Sequence, residues 1–445
     1  MAERLRAASW PRWGNGARPA VLALLAVLVL AGSWALIHVG GYARDDDLIR
    51  DTPLYQQYGE AMAAGKLPYR DFVLEYPPGA LPVFVLPALG RGPQSEERYR
   101  RRFELVLFAC AAAALAAMAA VLAALGAHPL HVASALAFAA LAPLALGQLI
   151  LTRFDLWPAA LAVTALACLL WRRTSFGFAV LALAVAAKLY AAVLLPLALA
   201  FVWHREGRRR AAVSAGLFLA VLAACVVPFV LLSREGLWLS FKWQLERPLQ
   251  VESLGASLLI AAHHLFGLGL AVEFGYGSHN LAGTAADALV DVQSALLAAA
   301  LLAIWIWFAR RPRSSHALVA AAAAAVCAFV ALGKVFSPQF LIWLVPLVPL
   351  VRGRRGLAAS TILAAALVLT RGWFPYHYFD YVEFETSVWA LVVARNVELL
   401  ALVVLLVARP QKERDATAAA GRSARGVGES GLEAPPPRRR SPARG

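Results

Sequence analysis

Apolar runs of about 18 or more residues recur along this chain between Val21 and Val407, and a run of that length has few ways to fold. In lipid, every backbone N–H and C=O must find its partner within the protein, so only helices and closed barrels cross a bilayer. These runs are too long and too rich in Ala and Leu for the alternating strands of a barrel. The fold class is therefore all-α, a polytopic transmembrane helical bundle of roughly 11–13 membrane helices, some of them short or re-entrant. Composition agrees: 61% of residues are apolar and 16% charged, where a soluble domain has about half and about a quarter.

The chain carries 42 Lys and Arg against 27 Asp and Glu, a formal charge of +15. In a membrane protein such an excess belongs to cytoplasmic loops, so nucleic acid is not an expected partner. Cys110, Cys168, Cys225 and Cys327 all lie within apolar runs and have no ligand-like spacing. They read as small core residues, not as a disulfide framework or a zinc site. The run at 20–39 is about 20 residues long, too long for the core of a signal peptide, and is read as an uncleaved first span.

Loop charges then predict a topology. Arg4, Arg6, Arg12 and Arg18 hold segment 1–19 in the cytoplasm, and the transmembrane region covers 20–408. Segment 41–79 lies outside. The apolar run 80–90 is expected to return inward to a cytoplasmic cluster, Arg91, Arg98, Arg100, Arg101 and Arg102, with 103–126 leading out again. Between 127 and 204 the basic groups Arg172-Arg173 and Arg205, Arg208, Arg209 and Arg210 cannot both be cytoplasmic by simple alternation, which implies a short or re-entrant helix. Further on, 233–285 and 371–387 form outer loops. The tail 409–445 holds nine bases and four acids, with a Pro-Pro-Pro-Arg-Arg-Arg run, and reads as a disordered cytoplasmic segment.

The three outer segments carry most of the acids, His and aromatics not needed for solubility. In 45–79, residues 51–65 can form a short amphipathic helix with Asp51 at its N-terminus and Gly65 at its end. Tyr55, Tyr58 and Met62 share one face of it. Asp45, Asp46 and Asp47 fit a solvated face as readily as a site. Arg247, Gln250 and Glu252 offer a guanidinium fork and an amide, which suit a phosphate, or equally an interfacial helix with snorkelling cations. Lys188 sits inside an apolar run, where an unpaired ammonium costs several kcal/mol, so it needs a carboxylate or an anionic ligand. Arg153 and Asp155 can pair with each other across a helix end. Lys334 and Gln339 flank a helix break at Ser337-Pro338. His263, His264, His279 and His377 lack a metal-ligand pattern. No P-loop, zinc-protease or nucleophile-elbow motif occurs.

Several pieces, taken in order, resemble a known family. They are Asp51-x-x-x-Tyr55, Gly65-Lys66-Leu67-Pro68-Tyr69-Arg70-Asp71 and Glu75-Tyr76-Pro77-Pro78-Gly79. Then come Gly147-Gln148, Arg153-Phe154-Asp155 and Ala187-Lys188-Leu189-Tyr190. Residues 247–253, from Arg247 to Ser253, and 336–343, from Phe336 to Trp343, complete the set. The set resembles glycosyltransferase family 87 of the GT-C superfamily, over roughly residues 20–408. That resemblance implies a multi-pass protein of a bacterial cell membrane with both termini cytoplasmic. It implies transfer of a sugar, mannose or another hexose or pentose, from a polyprenyl-phosphate donor to an envelope glycolipid or glycan acceptor. It implies no metal and no cofactor. The catalytic carboxylate of the first outer loop falls on Asp51. The substrate-binding set that goes with it is Asp46, Asp47, Tyr55, Tyr69, Glu75, Lys188, Arg247, Gln250, Glu252, Lys334 and Gln339. Mannose-transferring members carry an acidic residue and a histidine after the Ser-Pro break, where this chain has Gln339-Phe340. A transporter or flippase of anionic substrates is the alternative reading, but the repeat that such a fold favours is not evident between the two halves.

Overall fold

The computed structural model describes residues 17–39, 49–90, 95–310, 314–385 and 387–408. The helices in chain order are α1 (Ala17–Val39), α2 (Thr52–Ala63), α3 (Leu81–Ala88), α4 (Glu96–Ala124), α5 (Pro129–Leu146), α6 (Leu149–Thr152), α7 (Leu156–Leu170) and α8 (Thr174–Ala187). They continue as α9 (Leu195–Glu206), α10 (Arg208–Leu232), α11 (Arg234–Glu246), α12 (Leu254–Phe266), α13 (Thr284–Ala309), α14 (Ser315–Leu332), α15 (Gly353–Arg371), α16 (Tyr378–Val382) and α17 (Trp389–Val407). Short 3-10 turns occupy Leu189–Leu194 and Pro338–Trp343. The described strands are β1 (Leu249–Gln250), β2 (Ala271–Gly275) and β3 (Ser278–Ala282), an antiparallel sheet in the order β1-β3-β2. The hairpin β2–β3 turns at Tyr276 and Gly277, both at positive φ, as a tight primed turn requires.

Contacts between helix ends sort the bundle into two faces. On one face, His38 at the end of α1 bonds Glu104 near the start of α4 (2.9 Å), and Lys188 after α8 meets Asp155 before α7 (2.6 Å). On the other, His131 of α5 donates to the Pro349 carbonyl (2.9 Å), Trp171 after α7 donates to the Ala120 carbonyl of α4 (2.9 Å), and Thr174 of α8 reaches Glu206 at the end of α9 (2.7 Å). Eight helices are long and apolar enough to cross a membrane by length and composition: α1, α4, α5, Leu189–Glu206, α10, α13, α14 and α17. Four more stretches run between the faces: α6–α7, α8, Pro338–Leu350 and α15. Among the described residues the eight candidate spans are fewer than the roughly 11–13 membrane helices expected, because these four stretches are too short or not apolar enough to meet the same measure. The chain is an all-α polytopic bundle.

The expected inward pass at 80–90 does not occur. α3 has 8 residues, about 12 Å at 1.5 Å per residue, far short of a bilayer core of about 30 Å. It folds back on α2 instead. Gly59 makes this possible, since a Cβ there would lie 2.2 Å from the Phe84 carbonyl oxygen. The start of α4 then caps α3. Tyr99 donates its hydroxyl proton to the Phe84 carbonyl (3.0 Å), and Arg102 donates to the carbonyls of Leu89 (2.7 Å) and Pro87 (3.4 Å). Pro87 and Leu89 are at the end of α3, where a helix leaves carbonyls without partners. Arg98, Arg100, Arg101 and Arg102 therefore share a face with 49–90, and α4 runs away from that face, not toward it. The need to satisfy a re-entrant helix end outweighs the bias of loop charge, and acids offset the cluster: Glu97 pairs with Arg101, and Glu104 lies 3.8 Å from Arg100. The same geometry removes the conflict between 127 and 204. α8 rises from Thr174 and Leu189–Glu206 returns, so Arg172-Arg173 and Arg205–Arg210 meet on one face.

Two experiments check this arrangement. In a background with the four cysteines replaced by alanine, Lys66→Cys and Arg101→Cys are expected to react with an impermeant maleimide from the same side, and Arg209→Cys from the other. Gly79 packs so closely on α8 that a Cβ would lie 2.4 Å from the Ala186 carbonyl carbon. Gly79→Ala should cost about 1–3 kcal/mol of stability by overpacking, read as a lowered midpoint in detergent unfolding.

Candidate active site

The face that carries 49–90 gathers charged side chains from six parts of the chain. Asp51 precedes α2, and Pro53 in the first turn suits a helix start. Its carboxylate makes no capping bond to the helix. It accepts a hydrogen bond from the Tyr55 hydroxyl (3.1 Å) and forms an ion pair with Arg153. Arg153 also donates to the Ile49 carbonyl (3.3 Å), so one guanidinium grips both sides of Arg50. Tyr55 is buried and stacks on Phe84, with ring centroids 4.5 Å apart. The Asp51 side chain keeps 24% of its surface exposed, against 6% for Arg153.

Arg153 and Asp155, which could have paired with each other across a helix end, do not. The chain is extended at Arg153, between α6 and α7, and the two side chains find separate partners. Asp155 is fully buried. One of its oxygens accepts from both the Lys188 ammonium (2.6 Å) and the Trp343 indole (2.6 Å). Lys188 is boxed by the rings of Phe154, Phe340 and Trp343, with its nitrogen 4.7, 5.4 and 5.1 Å from their centroids.

The loop between α10 and α13 supplies the other wall. Arg247 donates to the Ser278 hydroxyl (3.0 Å) at the base of the β2–β3 turn, while its Nε has no protein partner. Glu75 lies near it, half-buried, with its backbone carbonyl held by the Gln244 amide (3.3 Å). Burial raises the Glu75 carboxyl above its ordinary value, against the opposing pull of Arg247. Burial lowers the Arg247 guanidinium, which Glu75 and Glu252 partly offset. Glu252 is 2% exposed, and burial pushes its carboxyl up to about 7 despite Arg395 and Gln250 nearby. The Glu252 carbonyl accepts from Arg395 (2.8 Å), a wholly buried residue of α17 whose guanidinium lies 3.8 Å from the centre of the Phe336 ring.

The other residues singled out from sequence take varied places. Asp46 and Asp47 lie outside the described residues. Tyr69 donates to the Tyr76 carbonyl (2.6 Å) and packs edge-on against Phe229, which makes it a strut of the loop 65–79. Gln250 is buried, paired with Asn280 across β1–β3, and its backbone N–H donates to the Lys334 carbonyl (3.1 Å). Lys334 donates to the Leu245 carbonyl (2.8 Å) and lies within electrostatic reach of Arg247. Gln339 accepts from its neighbour Ser337. Sequence reasoning passed over Arg395, and for Arg153 and Asp155 it offered a pairing with each other as a structural role. The rule that flagged Lys188, an ionisable residue inside an apolar run, applies to all three. Trp343 and Ser278 gave no signal of their own. Among the described residues no group of His, Cys, Asp and Glu could hold a metal ion.

The raised Glu252 carboxyl has a consequence for stability. A carboxyl whose pKa is higher folded than unfolded keeps a proton that the unfolded chain has lost. Its contribution is therefore full below the unfolded value near 4.5 and is lost as pH rises through about 7. Glu252→Gln, a permanently neutral analogue, should flatten the fall in thermal midpoint between those pH values, measured in detergent at constant ionic strength.

The profile of glycosyltransferase family 87 matches residues 72–338 of this chain. No curated protein matches it.

Proposed function

Because the chain belongs to glycosyltransferase family 87, and is thus a membrane glycosyltransferase, we propose that it moves a sugar from a polyprenyl-phosphate donor to an envelope glycolipid or glycan acceptor, with Asp51 as the general base. The observation that carries this reading is the clamped, part-exposed carboxylate of Asp51, on the same face as the Arg247 guanidinium. The opposite face carries Arg172, Arg173, Arg205, Arg208, Arg209, Arg210, Arg352 and Arg354 at helix ends and the turns between them, which argues that it is the cytoplasmic one. The reaction then belongs to the extracytoplasmic face, and both ends of the bundle to the cytoplasm of a bacterium.

The chemistry needs few parts. As the acceptor hydroxyl oxygen bonds to the anomeric carbon, Asp51 takes its proton. The bond from that carbon to the phosphate oxygen breaks, and the electron pair leaves with the lipid phosphate. That anion is already stable, so positive hydrogen-bond donors suffice to hold it. Arg247 has a buried Nε without a protein partner, and Lys334 lies in electrostatic reach of its guanidinium. Ser278 fixes the Arg247 fork from the far side. The sugar itself is mannose or another hexose or pentose.

The test is transfer by the purified protein in vesicles, with a polyprenyl-phosphate sugar and candidate acceptors. Asp51→Asn should lower kcat by about 10²–10⁴, and retention of the wild-type rate would remove Asp51 as the base. Arg247→Ala should instead raise KM for the donor, with kcat less affected.

A further inference from the structure

We infer that Lys188 is not a ligand of the donor phosphate but a positioning residue, which with Asp155 and Trp343 locks the break between α6 and α7 so that Arg153 presents Asp51 to the acceptor. The inference rests on Asp51 being the base.

The geometry of Lys188 argues against contact with substrate. Its ammonium already meets a buried carboxylate at 2.6 Å and three aromatic rings at 4.7–5.4 Å. A cation held over ring faces and paired with a desolvated anion has little positive potential left for a phosphate. Trp343 is itself fixed, stacked on Tyr190 with centroids 3.9 Å apart and planes 1° from parallel. The Asp155 oxygen therefore ties together three interruptions of helix: the α6–α7 break, the turn after α8, and the 3-10 turn Pro338–Trp343.

The coupling to Asp51 is short. Asp155 is two residues from Arg153, with only Phe154 between them, and Phe154 is fully buried against Tyr55, Tyr76 and Phe84. If Asp155 is held, Phe154 and the extended backbone at Arg153 are held. Arg153 then grips Asp51 and the Ile49 carbonyl. A base displaced by about 1 Å can lose about a hundredfold in rate, and that loss appears in kcat, because binding of the donor is not touched.

Three measurements test this on the full-length protein in vesicles. Asp155→Asn should lower kcat by about a hundredfold and leave the donor KM within about threefold. Loss of one charge from a buried pair can unfold a protein, so the double variant Asp155→Leu/Lys188→Met, which removes both charges, serves as the second arm. It should fold and show the same pattern. A donor KM raised about tenfold or more, with kcat little changed, would make Lys188 a phosphate ligand and overturn the proposal. Hydrogen exchange over residues 49–63 should be faster in Asp155→Asn than in the wild type, and unchanged exchange there would also overturn it. The exchange readout does not depend on which residue is the base. If Asp51→Asn transfers sugar at the wild-type rate, the assignment of the base falls, while exchange still decides whether the network holds that segment.

Discussion

A carboxylate with no exposed surface, Asp155, meets an ammonium and an indole in the apolar body of this protein. Removing two charges from water costs several kcal/mol for each ion, and close pairing is what makes that tolerable. The arrangement also explains why the bundle can contain so much irregular backbone. Non-helical segments at membrane depth survive only where protein buries them and their polar groups find partners. The α6–α7 break, the turn at Lys188 and the Pro338–Trp343 turn meet at this one carboxylate. Each break supplies a group that the other two need.

A second intramembrane charge does similar work for the opposite wall. Arg395 lies in α17, stacked on Phe336, and donates to the carbonyl of Glu252, while Asn396 donates to the same oxygen (3.3 Å) and to the Ser257 hydroxyl (2.9 Å). These bonds fasten the segment between β1 and α12 to the last helix. Ser253 caps α12 by accepting from the Ala256 N–H (3.3 Å), so the chain direction after Glu252 is fixed from both sides. The loop that carries Arg247 is thus anchored by the bundle, although most of it reads in sequence as an ordinary outer loop.

What was legible in the sequence follows from how local each cause is. Asp51 and Gly65 predicted α2 well, because a helix start and a left-handed end are properties of single residues. The bundle was legible because apolar length is a sum over neighbours in sequence. The direction of α4 was not, since Arg102 of the cluster at its start serves carbonyls at Pro87 and Leu89, a tertiary cause that loop charge cannot report. The pairing of Arg153 and Asp155 failed for a like reason. Adjacent opposite charges suggest one another, but an extended backbone between two helices sends them to Asp51 and Lys188 instead. The small sheet β1–β3–β2 rests on Leu249 and Gln250 finding Leu281 and Asn280, partners about thirty residues away.

Three carboxylates border the proposed reaction, and their surroundings separate their roles. Glu252 is 2% exposed, its carboxyl is pushed up to about 7, and it lies beside Arg395, so it is placed to hold structure and not to meet an acceptor. Glu75 stands on the Arg247 side. A second full anion there would repel a departing phosphate, and burial, by favouring its neutral form, weakens that repulsion. Asp51 differs from both. It is oriented by Tyr55 and Arg153 yet keeps a quarter of its side-chain surface open, 24%. A general base needs both a fixed direction and access to the proton that it removes, and Asp51 has both without a burial that favours its neutral form, as at Glu75.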